Sequence, residues 1–320
     1  MDKVIELIKK SESIALFSHT KPDPDAIGSV GALQYALKQL NKKVTVFFED
    51  KLTLNLDFFK FENLEFAPQD IKKFDLAIAL DVADIKLLNK FEKYFSSFKN
   101  SICIDHHLMR GKVSKLDFVN TSACATAEIL FDLLMKMNLK ITSQIASCLY
   151  TGIAGDTGRF LHNNTNARSF EIAKILVDNG AKINYINNNL FKKTTKEMAL
   201  GMKILLNNLD FRNDVLFSSL SLKEYRKEKI KPVASSELIG FLAGIENINI
   251  IIVFNEKGKN EINASLRSTE NYDISIVAKH FGGGGHKQAS GLQNFKGNLN
   301  QAKEQIYDFI IKNIDKIKIK

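Results

Sequence analysis

Ser101-Ile102-Cys103-Ile104-Asp105-His106-His107 sets a short apolar run directly before an acid and two histidines. The run reads as a buried strand, and the last three residues are metal-ligand types at its carboxyl end. The arrangement recurs upstream. Ile14-Ala15-Leu16-Phe17 leads into His19, Asp23 and Asp25, and Leu76-Ala77-Ile78-Ala79-Leu80 leads into Asp81. A further acid, Asp156, lies in Gly155-Asp156-Thr157-Gly158. Ligands of an open parallel sheet gather at the carboxyl ends of its strands, so these clusters are expected to converge on one site.

The first half of the chain alternates such strands with helical segments. A helix is expected over 25–40, a strand over 44–48 and a helical stretch near 85–95. This alternation predicts an α/β domain, a parallel sheet with helices on both faces. Helices follow over 125–138, 143–153 and 167–179, the last with Gly180 as its C-cap. We place this metal-binding domain at 1–190 and a connector helix at 191–210, where Met198, Leu200, Met202 and Leu205 recur at helical spacing. Residues 211–320 form a smaller α+β C-terminal domain. Its strands are expected near 215–217, 249–254 and 262–266, and its helices at 236–245, 274–280 and 302–314.

At 320 residues the chain exceeds what one core usually serves, which supports two domains. It has no apolar run of about 18 residues, so no membrane span is expected. The start Met1-Asp2-Lys3-Val4-Ile5-Glu6-Leu7 carries acids, unlike a signal peptide. Cys103, Cys124 and Cys148 form no CxxC pair and read as small buried residues in a reducing cytoplasm. A net charge of +9 suits a polyanionic partner. In a chain rich in Lys, Asn and Ile, that charge is also what biased composition would produce. It counts only where it meets a phosphate-shaped site.

Taken alone, Asp23 is equally an N-cap within a Pro22 and Pro24 turn, Asp81 a strand-end residue and Asp156 a turn former. Together with Asp105-His106-His107 they favour a metal centre, since three of the chain's six histidines fall in these clusters. Carboxylates with imidazole and no thiolate suit Mn(II) first, then Mg(II) or Co(II). The ligands exceed the needs of one ion. Two ions about 3.5–4 Å apart, sharing a carboxylate, are the simplest reading, and such pairs serve in-line displacement at phosphorus.

Farther on, Gly282-Gly283-Gly284-Gly285-His286-Lys287 follows an expected helix. Four glycines in a row can turn successive N–H groups into one concavity, an anion nest, with His286 and Lys287 adding charge. The plain alternative is a flexible hinge. Arg267-Ser268, at the end of an expected strand, supplies a guanidinium suited to bidentate phosphate contact.

In their order and spacing these motifs resemble the DHH phosphoesterases that carry a C-terminal DHH-associated domain. The nearest likeness is to the bacterial nanoRNase-type oligoribonucleases that also dephosphorylate 3′-phosphoadenosine 5′-phosphate (pAp). The resemblance spans nearly the whole chain. It implies His19, Asp23 and Asp81 on one ion, and Asp25, Asp81, His106 and Asp156 on the other. It further implies that Asp81 bridges, His107 faces the phosphate and Asp105 orients the histidines. Arg267, Ser268, Gly282, Gly283, Gly284, Gly285 and His286 would hold substrate, with the active site in the interdomain cleft. The substrates implied are pAp and single-stranded RNA or DNA of about two to five nucleotides, released as mononucleotides by a cytoplasmic enzyme. A homodimer is left open. Pro24 stands where many relatives have glycine, and His162-Asn163-Asn164-Thr165 departs from the family pattern. The competing readings are a RecJ-like single-strand exonuclease and a nucleotide-binding regulator without turnover.

Overall fold

The apolar runs become central strands because a segment hydrophobic on both faces is stable only where both faces are covered. The computed structural model describes residues 1–49, 51–52, 55–258 and 261–319. They divide into two compact units, Met1–Lys193 and Thr194–Lys320.

The first unit runs α1 (Asp2–Lys10), β1 (Ser13–Ser18), α2 (Pro24–Gln39), β2 (Lys43–Phe47), β3 (Leu64–Glu65), β4 (Leu76–Leu80), α3 (Glu92–Ser96), β5 (Ser101–Asp105), β6 (Leu116–Val119), α4 (Thr126–Lys136), α5 (Ser143–Asp156), α6 (Ala167–Asp178) and α7 (Ile183–Asn187). Its sheet has the order β3-β2-β1-β4-β5-β6, every neighbour parallel. Ser18 pairs with Leu80, and Leu80 with Ile104, so β1, β4 and β5 end level with one another. Ile14, Leu16, Ile78 and Ile104 pack toward α2, α4 and α5. Ala15, Phe17, Ala79 and Cys103 point to the opposite face, against Phe91, Phe95 and Phe98. The cover on that second face departs from the expected helix. It is a 3-10 segment, Ile85–Phe91, kinked where Asn89 takes a left-handed φ of 45°, and then α3.

Helix α5 continues to Asp156, so that acid ends a helix rather than sitting in a glycine turn. Within this helix residue 155 is glycine because a Cβ there would lie 2.5 Å from the Pro24 side chain. Gly180, at φ +81°, follows the α6 cap as expected. Strands β3 and β6 were not expected. Both are short and half-buried edges without a continuous apolar run.

The second unit runs α8 (Lys196–Asn207), β7 (Asp210–Arg212), β8 (Val215–Leu220), α9 (Leu222–Glu228), α10 (Ser235–Leu238), β9 (Ile250–Gly258), β10 (Glu261–Ser268), α11 (Ser275–His280), β11 (Gly284–Gly285), β12 (Ala289–Lys296), α12 (Leu299–Lys312) and α13 (Ile314–Ile317). The single helix expected over 191–210 is instead a π-helical turn, Asn188–Lys192, and then α8, whose start is fixed by Thr195 accepting from the Met198 N–H. The sheet is mixed, in the order β11-β12-β10-β9-β8-β7, with only β8 and β9 parallel. One face packs on α11 and α12, the other on α8, α9 and α10. Among the described residues no helix is long and apolar enough to cross a membrane, and Cys103, Cys124 and Cys148 are free and buried.

The tightest helix contact in the first unit is α2 against α5. A Cβ on Gly28 would lie 2.4 Å from the Cys148 carbonyl oxygen and 2.8 Å from the Gly152 nitrogen. Gly28→Ala should therefore force the helices apart and destabilise the fold by about 1–3 kcal/mol. Urea unfolding reads this as a lower midpoint at unchanged slope. An unchanged midpoint would show that the two helices are not held at this distance.

Candidate metal centre

Each ligand-type residue is set by the element beside it. Where β1 ends, the Ser18 hydroxyl donates to the Leu80 carbonyl at 2.9 Å, joining the strand ends. His19 follows, its Nδ1 2.9 Å from the Thr20 carbonyl. Asp23 is the N-cap of α2, its Oδ1 accepting from the N–H groups of Asp25 and Ala26 at 2.9 and 3.0 Å, with Pro24 opening the helix. The capping oxygen, Oδ1, is also the one that lies nearest His19 Nε2. Asp81 takes a left-handed φ of 62° directly after β4, while its N–H still donates to the Ile104 carbonyl. That conformation costs a non-glycine residue about 1–2 kcal/mol, and such strain gathers at functional sites.

Asp25 is 1% exposed and is gripped by the start of α4. The N–H of Thr126 donates to its Oδ2 at 2.6 Å and that of Ala127 to its Oδ1 at 3.0 Å. Free N–H groups at a helix start are a natural holder for a carboxylate. Gly152 lies opposite, where a Cβ would come within 2.6 Å of Asp25 Oδ1. His106 turns its Nδ1 to the Ala123 carbonyl at 3.2 Å. For both His19 and His106 a carbonyl partner at Nδ1 assigns the proton there and leaves the Nε2 lone pair for a ligand role.

The side chains converge in three overlapping groups: His19 with Asp23 and Asp81, Asp25 with His106 and Asp156, and Asp81 with Asp105, His106 and His107. His19 Nε2 lies 3.6 Å from Asp81 Oδ2 and 4.0 Å from Asp23 Oδ1. His106 Nε2 lies 3.2 Å from Asp156 Oδ2, 3.8 Å from Asp81 Oδ1 and 3.9 Å from Asp25 Oδ2. The two oxygens of Asp81 thus face different groups. Asp105, fully buried, accepts both the backbone N–H and the Nδ1 of His107, at 2.8 and 2.9 Å. His107 Nδ1 is also 3.3 Å from Asp81 Oδ1, and about half of its side chain is exposed.

Burial and mutual repulsion set the charges of these groups. Burial, and then the neighbouring Asp81 and Asp156, push the Asp25 carboxyl well above its ordinary range. Burial raises Asp156 to about 6 against the pull of His106. Burial also works to raise Asp81, but the neighbouring imidazoles of His107 and His19 hold it below the usual carboxylate range. Hydrogen bonds to Asp105, and after it Asp81, raise the His107 imidazole to about 11. Asp81 Oδ2 and His106 Nε2 are buried and make no hydrogen bond. Buried polar atoms without partners are costly, and here each belongs to a group of oxygen and imidazole donors. The residues fit a divalent metal centre.

The remaining candidates have different surroundings. Gly158, at φ +54°, leaves room for the His162 ring, whose Nδ1 meets the Asp156 carbonyl at 3.0 Å. In the second unit the glycine run is not an open nest. The N–H groups of Gly282, Gly283 and His286 donate to the carbonyls of Lys279, Ala278 and Ala289, and Gly284 and Gly285 pair with β12. Gly283 and Gly285 serve close approach, since a Cβ there would lie 2.2 Å from the Gly291 carbonyl oxygen and 2.6 Å from that of Ala289. Gly282, Gly283 and Gly284 line a polar cavity of about 470 Å³ with Asn255, Asn263 and Ser265. The Ser268 hydroxyl is spent on the Tyr272 carbonyl at 2.8 Å. Arg267 pairs in register with Ala289, which closes a turn with the exposed His286, so both residues sit at one end of this sheet.

Asp81→Ala should abolish Mn(II) uptake at both positions, because its Oδ2 faces His19 and its Oδ1 faces His106. Titration calorimetry on the folded variant checks this. Two ions bound with unchanged affinity would contradict the shared role of Asp81.

Comparison with known proteins agrees with this architecture. The profile of the DHH family, N-terminal domain, matches residues 13–153, and that of the DHHA1 domain matches residues 213–312. The bifunctional oligoribonuclease and PAP phosphatase NrnA of Bacillus subtilis (strain 168) is 28% identical over 294 residues, covering 90% of this chain and 91% of that protein. The protein of the same name from Thermus thermophilus is 28% identical over 314 residues, covering 97% and 93%. The fold matches the crystal structure of an exopolyphosphatase-related protein from Bacteroides fragilis, with a TM-score of 0.84 at 24% identity over 98% of this chain and 95% of the other. The chain belongs to the DHH family, its N-terminal DHH domain followed by a DHHA1 domain.

Proposed function

We propose that the protein is a two-metal phosphoesterase that hydrolyses very short single-stranded oligonucleotides to mononucleotides and dephosphorylates pAp to AMP. The observation that carries this reading is the pair of ligand groups meeting at the two oxygens of Asp81. The substrate class is supported by relatives named as oligoribonuclease and PAP phosphatase along almost their whole length. Divalent ions here, Mn(II) by preference, would supply Lewis acidity toward phosphoryl oxygens and lower the pKa of water.

The chain's own residues do the rest. His19, Asp23 and Asp81 would hold one ion, and Asp25, Asp81, His106 and Asp156 the other. Carbonyl partners fix the rings of His19 and His106, and amide N–H groups fix the carboxylates of Asp23 and Asp25, before substrate arrives. Asp105 holds His107 by two bonds, so that the imidazolium can donate to a non-bridging phosphate oxygen from a fixed position. Attack of water on phosphorus breaks the bond to the leaving nucleoside oxygen. From a dinucleotide this yields two mononucleotides, and from pAp it yields AMP and phosphate.

Arg267 and His286 would hold a terminal phosphate, and the polar cavity beside Gly282–284 offers neutral donors and acceptors suited to a base or ribose. The hydroxyl of Ser268 and the N–H groups of Gly282 and Gly283 have partners inside the protein, so their part is to shape this loop. The enzyme would act in the cytoplasm.

Arg267→Ala and His286→Ala should raise KM for a dinucleotide with little change in kcat, because a grip on a terminal phosphate is equally strong in ground and transition states. Steady-state kinetics with Mn(II) checks this. A loss confined to kcat would place these residues in the chemistry.

On 5′-labelled RNAs of graded length, with an EDTA control, kcat/KM should fall as the strand lengthens, and duplexes should resist. One gripped end gives added nucleotides nothing further to bind. A value rising toward long single strands would favour a RecJ-like exonuclease.

A further inference from the structure

We propose that Thr126 is a positioning residue of the metal centre, its hydroxyl fixing the carboxylate plane of Asp81. The inference rests on reading this site as a two-ion centre. Thr126 is fully buried at the first position of α4. Its Oγ1 donates to Asp81 Oδ1 at 3.0 Å, while its backbone N–H donates to Asp25 Oδ2 at 2.6 Å. One residue therefore holds two acids that belong to different ligand groups, 45 and 101 positions away in sequence.

Local chemistry explains why the hydroxyl is free for this task. A threonine inside a helix commonly donates back to a carbonyl one turn earlier. At the first position no helical turn precedes it. The α4 N-cap, Ala125, has no side chain able to cap, so the first-turn N–H groups go to Asp25 instead. β-branching restricts the Thr126 side chain to few rotamers, which aims Oγ1 reproducibly.

The need for such a bond follows from the freedom of the partner. The terminal torsion of an aspartate is broad, so its carboxylate plane is set only by what its oxygens bind. In Asp81, Oδ1 meets the Thr126 hydroxyl and His107 Nδ1, whereas Oδ2 is buried without a hydrogen bond. Anchoring Oδ1 leaves Oδ2 directed at the His19 group. A carboxylate serving two ions must present both oxygens at fixed angles, and this hydroxyl settles the angle. It also favours the ionised carboxylate over the acid.

The test compares Thr126→Val, which keeps the shape and the backbone N–H but removes the hydroxyl, with Thr126→Ser, which restores it. Metal-free full-length protein is titrated with Mn(II), and free Mn(II) is followed by its electron paramagnetic resonance signal. Thr126→Val should bind Mn(II) about 10- to 100-fold more weakly than wild type, the usual effect of removing a group that orients a ligand. Thr126→Ser should recover most of the affinity. KM for a dinucleotide should stay near wild type at saturating Mn(II). If Thr126→Val does not fold, Thr126→Ala carries the same comparison.

Wild-type affinity in the folded valine or alanine variant, or a serine variant as weak as valine, would overturn the proposal. Wild-type protein that took up no Mn(II) would overturn the two-ion reading, and this inference with it.

Discussion

Three buried or half-buried carboxylates, Asp25, Asp81 and Asp156, crowd around the Nε2 of His106. Two like charges about 4 Å apart repel by about 4 kcal/mol at an effective dielectric of about 20. Such a cluster holds its charge only against cations, and it stays in place only if the backbone grips it. The second condition is met locally. The start of α4 supplies two N–H groups to Asp25 and a hydroxyl to Asp81, and Ala123 supplies the carbonyl that turns His106. Segment 123–127 thus reaches three of the ligand-type residues.

The packing of the first unit serves that clamp. Residues 25 and 126–127 can meet only if α2, α4 and α5 pack closely, and Gly28, Gly152 and Gly155 are the positions where a Cβ would prevent it. The parallel sheet does the complementary work on the strand side. Level ends of β1, β4 and β5 deliver His19, Asp81 and Asp105 side by side, and the strained φ of Asp81 turns its carboxylate in among them. The second unit is built to another rule. Its glycine run allows β11 to lie against β12, and Arg267 and His286 stand at the end of that sheet.

Much of this was legible in the sequence. Fully buried parallel strands read as unbroken apolar runs, so β1, β4 and β5 and the residues ending them could be found directly. The edge strands β3 and β6 could not, because half-buried segments of two and four residues carry no such pattern. The glycine run was visible, but its pairing with β12 was not. Composition shows that backbone can approach closely there, not whether its N–H groups face an anion or a neighbouring strand. The part played by Thr126 was hidden altogether. Ala125-Thr126-Ala127 looks like an ordinary helix start, and its partners are Asp25 and Asp81 far back in the chain.

The central claim is that Asp81 joins two metal positions, and anomalous diffraction from crystals grown with Mn(II) tests it most directly. The account predicts two Mn(II) peaks about 3.5–4 Å apart, one beside each oxygen of Asp81. One would lie among His19 and Asp23, the other among Asp25, His106 and Asp156. A single peak, or two peaks that do not share Asp81, would contradict it.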